Sequence, residues 1–285
     1  MLQSMTGYGK TVLQLPNKKI SIEIKSLNSK SLDLNTRIPS LYREKELDIR
    51  KRIANQLERG KVDFSLYMEL TGEETATRIN QAVVKAYIKQ LREVAIGTEA
   101  ELLTIAMRLP DVVTTEREDI DEDEWHDIQA GIEQALQYII QYRNDEGMVL
   151  LKDFENRINT IADILEQVMA MDPDRMAAVR QRLEKAVADL KEKVDENRFE
   201  QELIYYLEKY DITEEKVRLD NHLKYFLKAL VSDDSNGKKL GFIAQEIGRE
   251  INTIGSKSNH APMQKLVVQM KDELEKIKEQ LLNVL

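Results

Sequence analysis

A chain of 285 residues is long enough for two domains and a substantial core, and 33% charged against 6% aromatic residues favours a helix-rich architecture over a sandwich or barrel. The absence of cysteine excludes disulfides, thiolate metal sites and a thiol nucleophile, so any metal must be held by oxygen and imidazole. A net charge of −9 argues against indiscriminate coating of nucleic acid, and with no apolar leader in MLQSMTGYGK and no apolar run long enough to span a bilayer, the expected compartment is the cytoplasm, with no membrane partner.

The charge is uneven. Residues 1 to 70 hold thirteen Lys or Arg against eight Asp or Glu, a basic module able to track a phosphate backbone. In this part, Thr11 to Leu15 and the alternating Ile20, Ile22 and Ile24 predict a hairpin. Leu32 and Leu34 predict a further strand. A helix is expected from Ser40 as N-cap, carrying Leu41, Leu47, Ile53 and Leu57 to a stop at Gly60. Val62, Phe64, Leu66, Met68 and Leu70 then alternate over nine residues, the clearest strand in the chain. The opening SMTGYG could let backbone approach a ligand, but no helix start follows it as a phosphate loop requires, and a bend in an edge strand explains it better.

Helices dominate thereafter, at Ile79 to Val94 and Ala100 to Arg108. The acidic run Glu116 to Asp127 reads as a solvated helix entrance. Leu151, Phe154, Ile158, Ile161, Leu165 and Val168 form one seam, and Met176, Val179, Leu183, Leu190 and Val194 a second. With Asp172-Pro173 as an N-cap and N1 pair between them, they predict an antiparallel helical hairpin. The expected fold class is α+β. A small N-terminal mixed module with antiparallel strands covers 1–115, a long hairpin arm covers 116–209, and a C-terminal helical domain covers 210–285.

Chemistry concentrates in that last part. After Asp211, with Thr213 as cap, Leu219, Leu223, Phe226 and Leu230 are the buried stripe of a helix that carries Glu215, Arg218 and His222 on the neighbouring face. A lone histidine beside a core stripe is more often structural than a ligand. In KKLGFIAQEIGREINTIGSKSN, Leu240, Ile243, Ile247, Ile251 and Ile254 form an apolar stripe, and Gly255 is the expected C′ residue. Glu246 and Glu250 are four apart, beside Arg249 and Thr253, and an ordinary solvated face would look the same. A final helix keeps a 4-3-4-3 rhythm from Met263 to Val284. If the helices carrying His222 and Glu250 face each other, two carboxylates, an imidazole and a guanidinium would suit a hard divalent cation and a phosphate, hence phosphodiester hydrolysis.

The segments SMTGYG, IKSLNSKSLDLNTRIP, LERGKV, DITEEKVRLDNHL, QEIGREINTIGSKSN and KDELEKIKEQ together resemble the YicC-like endoribonuclease family, over both ends of the chain in order. The resemblance implies a cytoplasmic, divalent-metal-dependent endoribonuclease (Mn²⁺ or Mg²⁺) acting on small structured RNA as a homo-oligomer, a hexamer that clamps the substrate. Matching positions are Asp211, Glu214, Glu215, Arg218 and His222; Gln245, Glu246, Arg249, Glu250, Asn252, Gly255, Ser256 and Lys257; and Lys25, Asn28, Arg37, Arg59, Lys61 and Glu146-Gly147. The chain departs from the family pattern at Asp145, Asn221, Lys238, Gly241 and Gly248. On this reading Glu246, Glu250 and His222 hold the metal, Arg218 and Arg249 neutralise the phosphate, and Lys25, Asn28, Arg37, Arg59, Lys61 and Lys257 contact RNA. Two alternatives stay open: His222 as general base on a 2′-hydroxyl without metal, and a non-catalytic RNA-binding or scaffolding oligomer.

Overall fold

A computed structural model describes residues 2–71, 77–94, 96–115, 120–189, 196–232 and 237–285. Strand β1 (Gly7–Gln14) turns at residues 15–17 into β2 (Lys18–Leu27), followed by β3 (Leu32–Arg37). Helix α1 (Glu46–Gln56) and β4 (Gly60–Leu70) come next. The sheet order is β1-β2-β4-β3, antiparallel except for the β3/β4 pair, whose parallel register is allowed by the crossover through α1. Alternation decides the faces: Ile20, Ile22, Ile24, Val62, Phe64 and Leu66 point inward and are buried. The segment from Ser40 is a 3-10 turn (Ser40–Lys45), so Ser40 caps nothing. This shifts the phase of α1: Ile49 and Ile53 are buried, while Leu47 faces solvent.

The other wall of this core is the first part of α4 (Glu122–Asp189), through Trp125, Ile128, Ile132, Ala135, Leu136 and Ile139. The glycines of SMTGYG serve this contact. A Cβ on Gly9 would stand 2.1 Å from the carbonyl oxygen of Ala135, so edge strand β1 lies directly on helix backbone rather than around a ligand. Acidic Glu122, Asp123 and Glu124 occupy the first turn of α4, where the dipole favours them; residues 116–119 of the acidic run lie outside the described residues.

Between β4 and α4 an outlying unit pairs β5 (Thr77–Ile79) with β6 (Val113–Thr115) beside α2 (Gln81–Val94) and α3 (Glu99–Ala106). It has its own small core of Val84, Ala106 and Val112. Ile79 thus belongs to a strand, and α2 begins at Gln81.

Helix α4 continues through Pro173, and the turn expected at Asp172-Pro173 does not form. Proline at this position removes the ladder bond to Met169. Asp172, instead of capping, pairs with Arg175 at 2.7 Å and Lys216 at 2.5 Å. Helix α5 (Glu196–Tyr210) runs back along the end of α4, and Arg175 donates to Tyr210 O at 2.7 Å, so antiparallel packing exists but starts one segment later. Leu190 and Val194 of the second seam lie outside the described residues. A second core joins Phe154, Ile158, Ile161, Leu165 and Val168 of α4 to α6 (Thr213–Leu230), α7 (Gly237–Lys257) and α8 (Ala261–Leu281). The segment expected as an arm therefore walls both cores.

The two ends of the chain stitch the halves together. Met5 N–H donates to Asn283 O at 2.8 Å, and Leu285 N–H to Gln3 O at 3.0 Å. Gly147 leaves room for the carbonyl of Leu2, 2.1 Å from where a Cβ would sit. Buried Arg143 donates to Ser26 Oγ at 2.5 Å and to the carbonyls of Met5 and Arg59, and desolvation pushes its pKa down.

Candidate functional site

Helix α7 is the centre of the second core, and the expected stripe from Leu240 to Ile254 is buried. Two glycines set its distance from α8. A Cβ on Gly248 would lie 3.1 Å from Leu274 Cδ2, and one on Gly255 2.9 Å from Val267 Cγ1. Gly255 is thus a packing position inside the helix, which continues to Lys257, and not its C′ residue. The two contacts also fix α7 and α8 as antiparallel, which brings Lys278 level with Gly248, 3.6 Å from the missing Cβ.

Beside this contact lies an open groove of about 450 Å³, lined by Gln245, Glu246, Gly248, Arg249, Asn252 and Lys278. Four of these side chains follow from helical spacing on α7, and Gly248 forms a floor without a side chain. Arg249 reaches Glu246 at 3.5 Å and is largely exposed, and Lys278 pairs with Glu275 at 2.7 Å. The groove therefore offers two cations, one carboxylate and two amides. Lys278 was not among the expected site residues, because the 4-3-4-3 rhythm identifies the buried side of α8 without saying what its flank meets. The seven-residue spacing of Gly248 and Gly255 is the signal that marks a helix contact line there, whereas Gly241, a further seven residues back, faces open space.

The other expected residues distribute elsewhere. Glu215 is buried, and its Oε1 accepts from Lys257 Nζ at 2.8 Å while Oε2 has no partner. This pair confirms that α6 and α7 run antiparallel, so two turns along each helix the positions of His222 and Glu250 come level. Glu250 is buried and His222 half-buried, and neither lines the groove. Arg218 lies on the solvent side of α6, paired with Glu214. Among the described residues no group of three or more His, Asp or Glu side chains could hold a metal ion, Glu246, Glu250 and His222 included. Thr213 is the first residue of α6 and not its cap; the N-cap is Ile212, with no side-chain cap bond, and just ahead of it Asp211 Oδ1 accepts from Thr213 Oγ1 at 2.6 Å and Thr213 N at 3.0 Å. The Thr213 hydroxyl, then its backbone N–H and the charges of Lys216 and Lys257, hold the Asp211 carboxyl below the ordinary aspartate range.

Of the residues expected to contact RNA, three are held by partners distant in sequence. Lys257 pairs with Glu215, Asn28 Nδ2 donates to Leu282 O at 2.5 Å, and Arg59 Nη2 donates to Val284 O at 2.7 Å. Arg37 and Lys61 are exposed, and Lys25 is exposed with its ammonium 5.6 Å from the Tyr8 ring centroid.

Comparison with known proteins finds matches in both halves of the chain. The family profile described as "Endoribonuclease YicC-like, N-terminal region" matches residues 2–152, and "Endoribonuclease YicC-like, C-terminal" matches residues 168–285. The chain belongs to the YicC-like endoribonuclease family. It is 33% identical over 293 aligned residues to a protein of Clostridioides difficile (strain 630) named "Probable endoribonuclease YicC", with all of both chains covered. A protein of the same name from Haemophilus influenzae is 30% identical over 287 residues, again with full coverage of both. Among the described residues no helix is long and apolar enough to cross a membrane.

Proposed function

We propose that this protein is an endoribonuclease whose phosphate-binding centre is the groove between α7 and α8. The observation that carries the reading is the convergence of Gln245, Glu246, Arg249, Asn252 and Lys278 around Gly248. Arg249 and Lys278 suit a phosphodiester, Arg by a bidentate fork and Lys as a point charge. Cations held in a cleft also stabilise the charge that grows on phosphate oxygens in the transition state. Among the described residues Glu246 is the one carboxylate lining the groove, so it is the group to accept the proton of the attacking oxygen. Gln245 and Asn252 offer donors and acceptors to ribose hydroxyls and base edges.

Divalent-metal dependence belongs to the proposal in restricted form. Glu246 and the amide oxygens of Gln245 and Asn252 are the hard donors that Mn²⁺ or Mg²⁺ prefers, and such ions commonly take only one or two protein carboxylates, leaving other positions to substrate phosphate and water. An ion there would add charge neutralisation at the phosphate. Structured RNA as the substrate and homo-oligomeric assembly, as a hexamer, are carried over from the family resemblance on the same footing.

The test is cleavage of an end-labelled structured RNA by wild type and Glu246→Gln, in Mg²⁺, in Mn²⁺ and in EDTA. Cleavage should fall by roughly a hundredfold or more in the variant while binding persists, and EDTA should abolish it in both. Wild-type rates in Glu246→Gln would remove the groove as the centre. A wild type that binds RNA and never cuts would make this a non-catalytic binder.

A further inference from the structure

The strands present a second polar surface, away from the groove. With Ile20, Ile22 and Ile24 turned inward, the opposite face of the sheet carries the odd residues of β2, β3 and β4 and the even residues of β1. On this face stand Tyr8 of β1 and Tyr67 of β4, 40% and 50% exposed, with no described helix laid over them. The register Tyr8↔Lys25↔Asp63 and Val12↔Ser21↔Tyr67 separates the two rings by two strands and four residues, about 16 Å between Cα positions, enough to take separate bases.

The charge around them favours an anionic strand more than the chain as a whole does. Lys10, Lys19, Lys25, Arg37 and Lys61 face Glu23, Asp33, Asp63 and Glu69, a slight cationic excess on a molecule of net charge −9. Glu23 pairs with Lys10 at 2.8 Å and Lys25 at 3.4 Å, and Asp63 accepts from Asn35 at 3.0 Å, so the cations outside these pairs are Lys19, Arg37 and Lys61. Lys25 sits over the Tyr8 ring as a cation over a π face. A base arriving on that ring would displace the ammonium toward its own phosphate. One end of the sheet comes near the groove. Asn28, one residue past β2, bonds to Leu282 O, and Lys278 is one helical turn, about 6 Å, before Leu282.

We propose that this face is a stacking platform for an unpaired segment of the RNA, with Tyr8 and Tyr67 as the stacking residues and the lysines tracking the backbone. The inference rests on the proposed RNA substrate. Its test is fluorescence anisotropy with a labelled oligo(A) and with a blunt RNA duplex, on the full chain carrying Tyr8→Ala, Tyr67→Ala, and the matching Phe substitutions, with light scattering on each. Each Ala change should weaken oligo(A) binding about tenfold or more. Phe should bind as tyrosine does, and duplex affinity and molecular mass should stay at wild-type values. Oligo(A) binding unchanged in the Ala variants overturns the platform alone, and equal losses on duplex overturn stacking as its basis. A fall in mass would assign the face to contact between copies of the chain and overturn it as well. A wild type that binds neither probe overturns the RNA substrate together with it.

Discussion

Replacing Lys257 separates two accounts of its ammonium, as an RNA ligand or as the counter-ion of Glu215. The Glu215 side chain is 9% exposed, its Oε2 has no partner, and Lys257 Nζ lies 2.8 Å from Oε1. Lys257→Met leaves that carboxylate buried without its cation. Breaking a buried pair from one side costs about 3–5 kcal/mol. Lys257 is 31% exposed, so the pair is partly solvated, and we take about 2–3 kcal/mol. At roughly 2–4 °C per kcal/mol for a chain of this size, the melting temperature should fall by about 4–12 °C. Adding Glu215→Gln removes the stranded charge, so the double variant should recover a good part of the loss, a coupling that thermal or urea melts measure directly. A Lys257→Met protein that melts like wild type and has lost RNA affinity would refute the structural assignment.

Two further outcomes follow from the packing. Gly9→Ala places a methyl group 2.1 Å from Ala135 O, and the backbone shift required should cost about 1–3 kcal/mol or more, read as a lower urea midpoint; an unchanged midpoint would mean that β1 does not lie on α4. Asp211→Ala removes the exposed acceptor for Thr213 just ahead of α6 and should cost about 0.5 kcal/mol near neutrality. Because the folded carboxyl is held below its ordinary value, this contribution is full above the unfolded aspartate pKa of about 3.9 and is lost as pH falls through the folded value, so the two proteins should converge in stability in strong acid. A stability gap that persists there would show that the carboxylate is not its source.

Periodicity made much of this fold legible. The nine-residue alternation ending at Leu70 is strand β4, and the stripe from Leu240 to Ile254 is the buried side of α7. Local signals failed where a tertiary partner took over the residue. Asp172-Pro173 has the form of a helix start, yet Arg175 and Lys216 hold Asp172 and the helix runs through. Gly255 has the form of a helix end, yet Val267 occupies the space its side chain would need. The candidate site was half legible for the same reason. Glu246 and Arg249 meet because both lie on one helix, whereas Lys278 joins them only through the approach of α8, and Asn28, Arg59 and Lys257 are held by atoms distant in sequence.

The central claim, that the α7/α8 groove is where RNA is cut, is tested most directly by single-turnover cleavage with Lys278→Ala beside Lys276→Ala. The two lysines sit two residues apart on α8, but Lys278 lines the groove and Lys276 pairs with Glu273 at 2.7 Å. The groove account predicts a fall of roughly a hundredfold in cleavage rate for Lys278→Ala, and a rate close to wild type for Lys276→Ala. Equal rates in the two variants would contradict it.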